Sequence, residues 1–173
     1  IVNSLPTVTL ANFQAVCNGS APMTLSGGSP AGGVYSGNGI TNNIFTPATV
    51  GIGTTTVTYT YTDANSCSAN ATNTITVNAG AAVTLGSFTP VCDNSAAINL
   101  TSGSPAGGTY SGTGVSGTTF NPSTSGAGTF AITYSYTNAN GCVSTAESNI
   151  VVNAVTAASM ATPQAVCLNT STF

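Results

Sequence analysis

Residues 56–67 read TVTYTYTDANSC, and residues 131–142 read AITYSYTNANGC. In the first stretch Val57, Tyr59 and Tyr61 alternate with Thr58, Thr60 and Thr62. That period of two puts the large apolar side chains on one face of a half-buried strand. Ile132, Tyr134 and Tyr136 hold the same places in the second stretch. The segments DANSC and NANGC are turn-forming, and each leads into a β-rich run, TNTITVN or ESNIVVN. Strand, turn and strand together predict a β-hairpin.

The two stretches lie one period apart, and the same ruler fits the whole chain. Cys17, Cys92 and Cys167 are spaced by 75 residues, as are Cys67 and Cys142. Residues 4–78 and 79–153 align without a gap, with 36 identities over 75 positions, so they are two copies of one unit. Val2 and Asn3 match Val77 and Asn78, so residues 1–3 read as the end of a preceding repeat. Residues 154–173, with PQAVC matching FQAVC, read as the truncated start of a further one.

Upstream of the hairpin, VTLANFQAV and PMTLSG read as two strands, and GGVYSGNGI and NIFTPAT as two shorter ones, bounded by Gly, Pro and Asn. No stretch carries helical periodicity beyond two turns. About seven short strands per copy predict a small sandwich. The expected fold class is all-β, with tandem immunoglobulin-like β-sandwich repeats of 75 residues in an elongated, disulfide-stapled array.

The glycine-rich stretches GGSPAGGVYSGNG (27–39) and SGSPAGGTYSGTG (102–114) superficially resemble a phosphate cradle. A cradle needs a strand before it, a helix after it and usually a Lys, whereas strands are expected on both sides here. Tight turns and a kinked strand around Tyr35 and Tyr110 fit better.

The 173 residues contain no Lys, Arg or His, and Asp63, Asp93 and Glu147 are the only acids. An ordinary domain is about 25% charged; this chain is 2% charged and 41% hydrophobic. Phosphate backbones and anionic membrane surfaces are bound through Lys and Arg, so nucleic acid and membrane are excluded as expected partners. Low charge with high hydrophobicity predicts folding rather than disorder. No run approaches the roughly 18 apolar residues of a membrane span.

Five cysteines in such a chain suggest an oxidising compartment. Metal sites want clustered Cys or His, and reactive thiols want a nearby cation; neither exists in the sequence. The expectation is one structural disulfide per repeat, Cys17–Cys67 and Cys92–Cys142, with the partner of Cys167 beyond the chain end. Closing about 50 residues contributes roughly 4 kcal/mol. A second connectivity fits the same spacing, from the first Cys of one repeat to the second Cys of its neighbour, and would lock adjacent repeats into a rigid rod.

No catalytic, cofactor or metal residue is expected. Paired-carboxylate chemistry needs two acids within reach, and no acid recurs between copies: Asp63 aligns with Asn138, Asp93 with Asn18 and Glu147 with Thr72. A calcium site needs 6–8 oxygens, several of them carboxylate, and serine nucleophiles lack a base. The tyrosines read as core or cross-strand pairs. The sequons at Asn18, Asn70, Asn99 and Asn169 are weak signals in so Asn- and Thr-rich a chain.

The unit VC-x-N-S, GSPAGG-x-YSG-x-G, F-x-P, TYSYTNANGC and ITVN resembles the Ig-like repeats of very large secreted surface proteins of Bacteroidetes, including gliding-motility adhesins of the SprB kind. The likeness covers essentially the whole chain. It implies a giant extracellular or cell-surface protein exported by a type IX route, with the repeats as stalk or adhesive surface. Its expected partners are neighbouring repeats, other fibre subunits and a surface or glycan ligand. Similar repeats also flank secreted enzymes and lectins, so a passive spacer is the alternative reading.

Overall fold

In the computed structural model, which describes residues 2–156 together with Ala158 and Met160, the chain is all-β, with 46% strand and 5% helix. The first copy runs through β1 (Thr9–Leu10), β2 (Val16–Cys17), β3 (Met23–Thr24), β4 (Gly28–Ser29), β5 (Val34–Ser36), β6 (Ile40–Thr41), β7 (Ile44–Phe45), the single helical turn α1 (Pro47–Val50), β8 (Gly53–Thr62) and β9 (Ser68–Asn78). The second copy repeats this order as β10 (Thr84–Leu85), β11 (Val91–Cys92), β12 (Ile98–Asn99), β13 (Gly103–Ser104), β14 (Thr109–Ser111), β15 (Val115–Ser116), β16 (Thr119–Phe120), α2 (Pro122–Ser125), β17 (Gly128–Thr137) and β18 (Val143–Asn153).

The expected hairpin is the longest feature. Strands β8 and β9 pair antiparallel from Gly53↔Val77 to Thr62↔Ser68, and β17 and β18 do the same from Gly128↔Val152 to Thr137↔Val143. Thr55, Val57 and Tyr59 are buried, whereas Thr56 is exposed and Thr58 half-buried, an alternation that follows the period of two. Strands β5 and β2 flank the hairpin to give the four-stranded order β2-β9-β8-β5, with β2 parallel to β9. A three-stranded sheet, β3-β7-β6, contributes to the same core. Leu25, Phe45, Val57, Ile75 and Val77 form that core. Leu100, Phe120, Ile132, Ile150 and Val152 form its counterpart, each 75 residues on. Two sheets sharing one apolar core is the arrangement of a β-sandwich.

Three upstream segments differ from the expected strands. GGVYSGNGI is divided between sheets, its residues Val34–Ser36 forming β5 beside the hairpin and Ile40 opening β6 of the three-stranded sheet. VTLANFQAV is split: β1 pairs with β4, whereas β2 joins β9. Asn73 Nδ2 donates to Ala11 O (3.1 Å) and to Asn12 Oδ1 (2.9 Å), so a side chain takes up hydrogen-bonding capacity between the two short strands. NIFTPAT stops being a strand at Phe45, because Pro47 opens α1. Proline lacks the amide a ladder needs and is preorganised for the first position of a helix.

The glycine-rich stretch is a tyrosine-braced turn. Tyr59 Oη donates to Pro30 O (2.6 Å) and accepts from Gly33 N–H (2.7 Å). Tyr35 Oη accepts from Gly28 N–H (2.7 Å). The two rings are cross-strand partners with centroids 4.7 Å apart, and Tyr110 and Tyr134 repeat the arrangement. A Cβ on Gly33 would lie 2.5 Å from Thr60 O and from the Tyr59 ring. The glycines of GSPAGG therefore leave room for an aromatic ring.

Candidate functional site: the disulfide joint

The cysteines do not pair within a copy. Cys17 is bonded to Cys142, 125 residues away, with Cα atoms 5.6 Å apart, while Cys67 and Cys92 are free. The expected Cys17–Cys67 and Cys92–Cys142 bridges are thus corrected to the neighbour connectivity, and Cys167 lies outside the described residues. The reason is strand direction. Cys17 stands beside Asn78 at the end of β9, whereas Cys67 immediately precedes Ser68 at the start of that eleven-residue strand. At about 3.3 Å per residue the two are roughly 35 Å apart, against the roughly 4.4–6.8 Å between Cα atoms that a disulfide spans. Cys92, beside Asn153, and Cys142, ahead of Val143, stand at opposite ends of β18 in the same way.

Each half of the joint is held by hydrogen bonds within its own copy. On the first copy, Cys17 N–H donates to Ser20 Oγ (3.2 Å), Ser20 N–H to Cys17 O (2.9 Å) and Asn18 N–H to Asn78 O (3.0 Å). On the second copy, Cys142 closes the β17–β18 turn. Asn138 Oδ1 accepts from Cys142 N–H and Asn140 N–H, both at 3.0 Å, and Gly141 takes φ +78°. The Asn138 amide then crosses the joint, with Nδ2 donating to Ala79 O at 2.8 Å. One side chain shapes the cysteine turn and ties it to the residue that follows β9. Cys142 is 1% exposed.

An open cleft of about 450 Å³ lies over the joint, lined by residues including Cys17, Ser20, Gly80, Gly141, Cys142 and Ser144. A hollow of about 300 Å³ in the second copy is lined by Phe88, Val91 and Ile98 among others. Neither lining includes an acid. Each acid accepts a hydrogen bond elsewhere. Asp63 Oδ1 caps its turn through Asn65 N–H (2.8 Å) and Cys67 N–H (2.9 Å), Asp93 Oδ1 accepts from Val155 N–H (3.2 Å), and Glu147 Oε1 accepts from Thr133 Oγ1 (3.2 Å). Among the described residues no group of three or more His, Cys, Asp or Glu is placed to hold a metal ion, and no helix is long and apolar enough to cross a membrane. Of the sequons, Asn70 and Asn99 are exposed and Asn18 is half-buried in the joint; Asn169 lies outside the described residues.

No protein-family model matches the chain, and no curated protein matches it significantly in sequence. The joint is therefore read from its own geometry. Asn138 as the cross-link of the joint was not among the expected site residues. The available signal was the Asp63/Asn138 difference, because only the amide can donate to a carbonyl while capping the turn.

Proposed function

We propose that the chain is a non-catalytic structural and adhesive segment of a large extracellular or cell-surface fibre, built from tandem immunoglobulin-like repeats bounded at residues 4–78 and 79–153. The Cys17–Cys142 bond carries this reading, because it fastens the end of one copy to the start of the next. A bond so placed resists bending and separation of neighbours, as a load-bearing stalk requires. Such a bond suits a non-reducing compartment.

The strand order supports the immunoglobulin-like assignment. In the first copy β3-β7-β6 and β5-β8-β9 follow the orders B-E-D and C-F-G of that sandwich. Its staple differs, since the cysteines sit at the ends of the hairpin rather than across the core. The surface carries hydroxyl and amide groups in place of charges. Attachment through it is weak per copy and gains strength from many copies in series, each raising the effective concentration of the next.

Beads coated densely or sparsely with the chain test the adhesive part under shear on glass, hydrocarbon and polysaccharide surfaces. Retention by dense coats alone, unchanged between low and high salt, is the expected outcome, because no basic group exists for salt to screen. Retention no better than that of an inert β-domain would refute adhesion and leave the spacer reading.

A further inference from the structure

The free thiols Cys67 and Cys92 are built like the two halves of the joint already closed. Cys92 stands beside Asn153 as Cys17 stands beside Asn78. Its N–H donates to Ser95 Oγ at 3.1 Å, and the next amide, Asp93 N–H, donates to Asn153 O at 2.9 Å. These repeat the Cys17–Ser20 and Asn18–Asn78 bonds. Cys67 sits in a turn capped by Asp63 Oδ1 as Cys142 is capped by Asn138 Oδ1, and Ser66 takes φ +63° where Gly141 takes +78°. Exposure differs in a telling direction. Cys142 is buried and Cys17 half-buried in the closed joint, whereas Cys67 is half-buried and Cys92 exposed. Both thiols are less covered where, among the described residues, no neighbouring copy stands against them.

We propose that Cys92 and Cys67 are complementary attachment sites, through which each end of this two-copy unit takes another repeat of the same kind by a disulfide. Cys92 accepts a cysteine in an Asx-capped hairpin turn, and Cys67 accepts a cysteine at the strand end beside β9 or its equivalent. The partner is a repeat further along the same polypeptide or a second copy of the chain. In bond formation the two thiols lose two protons and two electrons. A small disulfide such as oxidised glutathione takes up the electrons, leaving two glutathione thiols. The Cys67 half lacks one feature of the closed joint: the Asp63 carboxylate cannot donate to a linker carbonyl as Asn138 does.

The inference rests on the joint underlying the proposed function, and one experiment separates them. In the full chain carrying Cys167→Ser, Cys67→Ser and Cys92→Ser are made separately and incubated in a glutathione redox buffer, alone and mixed. The expected result is covalent dimer in the mixture at least tenfold above either variant alone, with peptic mapping recovering a Cys92–Cys67 link. Equal dimer in the single variants means indiscriminate thiol pairing and overturns the proposal, as does monomer throughout together with no Cys92 link in a chain extended past Phe173. A map that keeps Cys17–Cys142 while lacking a Cys92 link both in the mixture and in the extended chain refutes this inference alone; loss of Cys17–Cys142 refutes both readings. A chain extended past Phe173 by residues 99–153 distinguishes the sources: a link from Cys92 to the added turn cysteine at high dilution assigns the partner to the same polypeptide, and links only between molecules assign it to a second copy.

Discussion

Replacing Cys17 and Cys142 by serine, singly and together, tests the joint most directly. The bond closes a loop of 125 residues, which in the chain-entropy treatment contributes about 5 kcal/mol against unfolding of the whole unit. Opening one copy alone is opposed almost as strongly. With the first copy folded, Cys17 is pinned beside Asn78, so unfolding of the second copy leaves a loop of about 64 residues and a contribution of about 4 kcal/mol. For units of this size that corresponds to a fall in melting temperature of roughly 15–30 °C. Guanidinium denaturation without reductant, with calorimetry alongside, reads the loss. Because one bond is removed each time, Cys17→Ser, Cys142→Ser and the double variant should lose the same stability, a fully non-additive cycle. Cys67→Ser and Cys92→Ser should stay within about 0.5 kcal/mol of the parent. Additive losses from Cys17→Ser and Cys142→Ser, or a Cys67→Ser as damaging as Cys17→Ser, would mean that the bonds lie within copies and would refute the connectivity.

Tyr59→Phe and Tyr134→Phe remove hydroxyls that each bridge a carbonyl and an amide; each should lose about 1–3 kcal/mol by denaturant titration, while Tyr61→Phe, on the same face nearer the hairpin turn, should lose less than about 0.5 kcal/mol. Asn138→Asp keeps the turn cap and loses the donor to Ala79 O, so it should cost about 1 kcal/mol and raise hydrogen exchange at the joint without disturbing the β17–β18 ladder. Ser66→Gly should stabilise the first copy by about 1 kcal/mol, because Ser66 occupies the left-handed region that Gly141 fills without strain in the second copy; an unchanged melting midpoint would refute that assignment of strain.

The alternation in TVTYTYT, the 75-residue period and the core positions were legible in the sequence because they are local or repeated. A period of two decides which face of a strand is buried, and a recurring spacing returns the same residue to the same place. The core pairs Phe45 and Phe120, Val57 and Ile132, and Ile75 and Ile150 follow directly. The brace within GSPAGG was only half legible. Its glycines announced a turn, but the hydroxyls that hold it come from Tyr59, 26 residues beyond Gly33, and Tyr134 in the second copy.

By itself the sequence determined that this is an all-β chain of two copies with two cysteines in each and almost no charge. The tertiary structure alone decided which cysteines meet. Spacing records distance along the chain, and both connectivities satisfy the same spacing. The choice turns on the two-residue strand β2, which pairs parallel to β9 and so carries Cys17 to the far end of the hairpin from Cys67. So short a strand has no periodicity of its own. Its direction is set by the sheet that receives it, and that direction places one cysteine at each end of every copy.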